Sequence, residues 1–110
     1  MLIRIVRMTF RPSKLDTFLH HFDSVSPKIR SFDGCEHLEL WQDARFPNVC
    51  TTHSHWTGDD ALERYRHSDL FRMTWAQVKP WFAAAPRAHS YGVGRSAEAI
   101  ETRASSPPSE

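Results

Sequence analysis

The 110-residue chain sets 14 Lys and Arg against 13 Asp and Glu, a formal charge of +1 with the two signs mixed along its length. That balance supports neither a nucleic-acid nor a membrane-surface partner, and no apolar run approaches the roughly 18 residues of a membrane span. Forty percent hydrophobic residues, with seven Phe, four Trp and two Tyr, fill one modest core, so a single domain is expected, one that pairing with a second copy would help to stabilise.

Residues 2–10 predict the first strand. Ile3 and Ile5 point one way, and Val6, Met8 and Phe10 the other, so both faces need cover. Arg4 and Arg7 interrupt one face each. The segment lacks the continuous apolar core of a signal peptide, and a cytoplasmic location is the expectation. Pro12 and Ser13 open a helix, with Ser13 as N-cap and Asp16 at capping-box spacing. Leu15, Phe18, Leu19, Phe22, Val25 and Ile29 form its buried stripe. Pro27 removes a backbone donor and predicts a kink in the last turns. His20 and His21 lie beside the stripe and read as solvated. Asp33-Gly34 is a turn.

Residues 35–43 and 48–56 predict the second and third strands, joined by Ala44–Pro47 with Pro47 as breaker. Asp59–His67 predicts a short helix capped by Thr57 or Asp59. A further helical piece from Asp69 carries Leu70, Phe71, Trp75 and Val78 on one side and runs to Pro80. Ala88–Val93 predicts the last strand. The order β-α-β-β-α-β makes an α+β, ferredoxin-like domain over residues 1–93 with a four-stranded antiparallel sheet. Residues 94–110 contain one large apolar side chain, Ile100. They are expected to be disordered, or ordered only against a partner. The two cysteines make no disulfide framework and read as small buried hydrophobes.

Parity on the hairpin points to chemistry. Cys35, His37, Glu39 and Trp41 fall on one face of the second strand, and Val49, Thr51, His53 and His55 on one face of the third. A loop of Arg45-Phe46-Pro47 pairs Ala44 with Asn48. His37 then lies opposite His55, and Glu39 opposite His53. Such a cluster has the composition to bind zinc or non-haem iron. The primary reading is a polar subunit interface with no bound metal, and a single histidine acting as a base is a further alternative.

The other hairpin face carries Leu38, Leu40, Cys50, Thr52, Ser54 and Trp56, a wall with space left by small residues. With Tyr65, Phe71 and Trp75 from the helices, it outlines an aromatic-lined pocket for a flat organic molecule. Glycine-rich phosphate loops, a nucleophile elbow and paired-cysteine metal motifs are missing from the sequence.

Three segments carry a family resemblance: Phe32-Asp-Gly-Cys-Glu-His-Leu-Glu-Leu, Ser54-His-Trp, and Ala61-Leu-Glu-Arg-Tyr-Arg-His-Ser-Asp-Leu-Phe. Together with the element order, over roughly residues 2–92, the chain resembles the antibiotic biosynthesis monooxygenase superfamily. The resemblance implies a homodimer, a dimeric α/β barrel with sheets packed face to face, and one pocket per subunit. Relatives include cofactor-independent monooxygenases of anthrones and quinols, haem-degrading enzymes and isomerases. At the positions where haem-degrading relatives use asparagine, tryptophan and a haem-ligand histidine, this chain has Val6, Tyr65 and Trp75, so haem degradation is not implied. Many quinol-type relatives carry histidine at the position of Tyr65.

The function expected is a cofactor-independent monooxygenase acting on a small flat aromatic of quinol, anthrone or phenol type. The alternatives are a non-catalytic ligand-binding or regulatory module and an oxygen-independent isomerase. Triplet oxygen reacts slowly with closed-shell molecules, so the substrate must first lose a proton to a base. His53 or His55 is the expected base, although parity places both away from the face of Trp56 unless a bulge intervenes. Tyr65 joins them as a catalytic candidate. Trp56, Phe71, Trp75 and Val6 are the expected substrate contacts.

Overall fold

A computed structural model describes residues 1–100. β1 (Leu2–Phe10) is an inner strand of one antiparallel sheet, between β3 (Val49–Trp56) and β4 (Phe82–Tyr91). β2 (Cys35–Gln42) flanks β3, giving the order β2-β3-β1-β4. Helices α1 (Leu15–Arg30), α2 (Asp59–Arg66) and α3 (Asp69–Val78) supply the chain's helical layer. Their apolar residues meet Met8, Phe10, Cys50 and Trp56 on one face of the sheet. The element order is the ferredoxin-like β-α-β-β-α-β, with the second helical segment in two pieces.

Local chemistry moves several boundaries. Pro12–Lys14 forms a 3-10 turn, so α1 begins at Leu15, and Ser13 makes no side-chain cap. α1 continues past Pro27 to Arg30. Gly58, rather than Thr57 or Asp59, stands at the start of α2, with both Asp59 and Asp60 in its first turn, where their charge favours the helix dipole. α3 is capped by Ser68, whose Oγ accepts the Phe71 N–H at 3.1 Å. A 3-10 turn over Lys79–Trp81 leads into β4.

β4 starts at Phe82, six residues before the strand expected at Ala88. Ala83-Ala84-Ala85-Pro86 has little β propensity, but an edge strand tolerates a proline. Among the described residues β4 pairs only with β1, with register shifts around Thr9. Residues 92–100 lie in neither helix nor strand and are exposed, and the remainder of the 94–110 segment lies outside the described residues.

The β2–β3 register follows the hairpin parity: His37 opposes His55, and Glu39 opposes His53. Asp43 fixes the turn. Its Oδ2 accepts N–H groups from Arg45 and Phe46 at 2.9 and 2.8 Å, a local turn that sets the register of everything above it. A shift between Cys35 and His37 departs from simple alternation. The extra residue turns Cys35 into the core beside Trp56, so Cys35 does not share the face of His37, Glu39 and Trp41.

Candidate functional site

The core is divided. One cluster gathers Val25, Ile29, Trp56, Leu62 and Tyr65 near the end of β3. The other gathers Met8, Phe10, Phe18, Cys50 and Val78 at the opposite end of the sheet. Between them lies a cavity of about 240 Å³, lined by members of both clusters. Its sheet side is Arg4, Val6, Met8, Thr52 and Ser54. α1 contributes Phe18, His21 and Phe22, α2 contributes Tyr65 and Arg66, and α3 contributes Phe71, Thr74 and Trp75. Small side chains at 52 and 54, opposite bulky aromatics, are what leave the space open.

The aromatic wall is continuous. Tyr65 stacks on Trp56 with ring centroids 5.0 Å apart, and Phe71 meets Tyr65 edge-on at 5.2 Å. Trp75 lies 5.8 Å from Phe71. Trp56 is fully buried, and its indole N–H donates to Ser54 Oγ at 2.9 Å. Its polar handle is therefore satisfied within the protein, and it offers a ligand surface rather than a hydrogen bond.

Few polar groups reach this apolar space. Burial, with Cys35 as a minor contributor, pushes the Tyr65 phenol well above its ordinary value. It stays protonated and can donate a hydrogen bond, but cannot serve as a base near neutrality. Arg4 donates to Ser90 Oγ at 2.9 Å. Burial, then the nearby Arg66 charge, lowers its pKa. Arg66 is paired with Glu63 Oε2 at 3.0 Å, so Arg4 is the cavity guanidinium without a carboxylate partner among the described residues, and it favours an anionic group there.

His21 also lines the cavity, contrary to its expected solvated position. Its ring meets Trp81 edge-on at 5.7 Å, and its Nε2 is shielded from solvent without a hydrogen-bond partner among the described residues. Desolvation lowers its pKa, so the imidazole is neutral at neutral pH and able to accept a proton.

The opposite, helix-free face of the sheet holds a second constellation. Glu39 Oε1 lies 3.4 Å from His37 Nε2 and 3.2 Å from His53 Nδ1. Trp41 Nε1 donates to the same oxygen at 3.0 Å. His53 Nε2 meets His55 Nε2 at 2.9 Å. The hydrogen bond with His53, followed by those with Trp41 and His37, holds the Glu39 carboxyl below its ordinary value.

The model of the family described as antibiotic biosynthesis monooxygenase matches residues 1–77. The chain belongs to the antibiotic biosynthesis monooxygenase family. Solved structures agree on the fold. An antibiotic biosynthesis monooxygenase superposes with TM-score 0.81 at 17% identity, covering 86% of this chain and 100% of that one. A conserved protein from Methanosarcina mazei Go1 gives 0.77 at 20% identity over 83% of this chain and 91% of its own. The protein Rv0793 from Mycobacterium tuberculosis gives 0.79 at 20%, covering 88% and 98%. No curated protein matches the sequence. Family membership supports a monooxygenase at family level, and no helix among the described residues is long and apolar enough to cross a membrane.

Within this monooxygenase fold, the residues expected to contact substrate, Val6, Trp56, Phe71 and Trp75, come together around the cavity, and Tyr65 joins them. His53 and His55 do not. They pair regularly with Ile5 and Ile3 of β1, on the face away from Trp56. The bulge that could have turned them lies in β2 instead. Sequence reasoning missed His21 and Arg4. His21 is three residues from Phe18 and four from Val25, a spacing that placed it beside the buried stripe. Arg4 shares its parity with Val6 and Met8 on a strand whose helix side is buried.

Proposed function

We propose that the cavity is the active site of a cofactor-independent monooxygenase whose substrate is a small flat phenol, quinol or anthrone. The observation that carries this reading is the pairing of a continuous aromatic wall with a single lining histidine, His21, whose neutral imidazole has a buried, unpartnered nitrogen. His21 takes the base role expected of His53 or His55. It accepts a proton from the substrate, and the resulting anion is stabilised by Arg4. Tyr65, held protonated, orients the ring by donating a hydrogen bond. The electron-rich anion then reduces oxygen. For an anthrone, one oxygen atom replaces two hydrogens at the reacting carbon to give a carbonyl, and the other leaves as water. The surrounding apolar groups exclude bulk water from the intermediate.

Homodimerisation is part of the proposal. Ile3 and Ile5 lie on the helix-free face and are only partly covered within one chain, and a second copy packed sheet to sheet would bury them. Sedimentation at micromolar concentration should give a dimer, and a monodisperse monomer would remove this element.

The test of activity is oxygen uptake against a panel of anthrones, quinols and catechols. Saturable uptake above the protein-free rate is expected, with loss in His21→Ala and retention in His20→Ala. Saturable ligand binding without uptake would favour a binding module. Product formed equally without oxygen would favour an isomerase.

A further inference from the structure

We propose that His37, Glu39 and His53 form a binding site for a divalent transition metal of the zinc class, with His55 and Trp41 as outer partners. The site lies across the sheet from the cavity, on the helix-free face where His53 and His55 pair with Ile5 and Ile3, so in the proposed dimer it stands at the seam with the second copy. It takes no part in the proposed oxygenase chemistry.

The warrant is geometric. Two donors each about 2.0–2.1 Å from a tetrahedral zinc lie about 3.3 Å apart. The carboxylate oxygen of Glu39 stands 3.4 Å from His37 Nε2 and 3.2 Å from His53 Nδ1, so two edges of such a polyhedron are already in place. The donor atoms of all three residues fall within 4.8 Å of one another. Two imidazoles and a carboxylate leave positions open for water.

The surroundings fit the same assignment. Metal-bound histidines generally hand their second nitrogen to a neighbour that fixes the tautomer. His53 Nε2 has such a neighbour in His55 Nε2 at 2.9 Å. Ligating carboxylates are likewise held from outside, and Trp41 Nε1 donates to Glu39 at 3.0 Å. The scaffold is rigid, because His37 and His55, and Glu39 and His53, are adjacent cross-strand pairs in one ladder. With no metal bound, the short His37 and His53 contacts to Glu39 Oε1 are hydrogen bonds, each using an imidazole N–H. Metal binding requires those two nitrogens to give up their protons, either to the other ring nitrogen or to solvent.

The experiment uses the full chain, stripped with chelator and titrated with Co²⁺ and then Zn²⁺. The expected result is one cobalt per chain, with visible bands of a low-coordinate nitrogen and oxygen site that zinc abolishes. His37→Asn and Glu39→Gln should each remove the bands, and His55→Ala should weaken binding by about 10–100-fold. Both His37 and Glu39 are solvent-accessible within one chain; circular dichroism will verify that the variants are folded, and sedimentation that they keep the parent's oligomeric state. His20→Ala and His67→Ala should bind as the parent does. Binding that survives both His37→Asn and Glu39→Gln, or that is lost equally in the His67→Ala control, would show scattered surface histidines and overturn the assignment. So would the absence of a saturable cobalt spectrum. Because the readout is metal binding, failure here leaves the oxygen-uptake result untouched, and the reverse also holds.

Discussion

Tyr65 lies nearly parallel to Trp56, with planes 23° apart and centroids separated by 5.0 Å. This contact joins the last residue of β3 to the last turn of α2. It separates two contributions of Tyr65: its ring packs, and its hydroxyl orients substrate in the proposed reaction. Tyr65→Phe keeps the stack and should hold stability within about 1 kcal/mol, while Tyr65→Ala should cost about 3–5 kcal/mol by urea denaturation. If the hydroxyl orients substrate, Tyr65→Phe lowers kcat/KM by about tenfold, the worth of one hydrogen bond. An unchanged kcat/KM would remove that role.

Gly34 has φ +93°, and a Cβ added there would collide with Ala61. Gly34 also accepts the Thr57 N–H at 2.9 Å, tying the turn before β2 to the entry of α2. Gly34→Ala should therefore destabilise by about 1–3 kcal/mol, read as a lower urea midpoint. A neutral result would mean that the turn can relax.

Ser68 caps α3, the helix that presents Phe71 and Trp75 to the cavity. Ser68→Ala should cost about 1 kcal/mol and lower the melting temperature by about 4–8 °C. Ser68→Asn, which can still cap, should recover most of the loss.

Acid should weaken the fold in stages. His21 is lowered from its ordinary 6.5 by desolvation, and His55 by desolvation and then by the neighbouring His53 and His37. The unfolded chain binds these protons first as pH falls. Their contribution is fully present above about 6.5 and is lost as pH drops through the folded values. Glu39, held below its ordinary 4.5, has the same sign and extends the decline further into acid. Urea midpoints of chelator-treated protein should fall between pH 8 and 4, and His21→Gln should flatten the upper part of that profile. For the proposed oxygenase, the acid limb of kcat/KM should likewise lie below 6.5.

Cys35 and Cys50 are both free and buried. Burial pushes the Cys50 thiol up to about 11, so it carries almost no thiolate at neutral pH. Native protein should resist alkylation by iodoacetamide, and denaturant should expose both thiols. Rapid native labelling would indicate that the core around Cys50 opens readily.

Much of this arrangement was legible in the sequence where local and periodic signals agree. The Leu15 to Ile29 stripe located α1, and strict alternation on either side of the Asp43–Pro47 turn gave the pairing of His37 with His55. The chain was less legible where tertiary context decides. Ala83–Pro86 carries no strand signal, and only pairing with β1 makes it extended. The bulge that turns Cys35 inward leaves no mark in composition. His21 lies on a helix flank, and whether such a flank faces solvent or a cavity depends on Trp81 and the two core clusters that it lies between. Trp56 is recognisable as apolar, but its indole partner is found only once Ser54 is placed beside it.

Pro86 has a further consequence. β4 is a boundary strand of the sheet, where a stray extended polypeptide could dock by continuing the ladder. Proline removes one backbone donor from that boundary, and the register shifts opposite Thr9 interrupt its regularity. Strand addition at this side is thereby discouraged, and unwanted growth into fibrils is blunted.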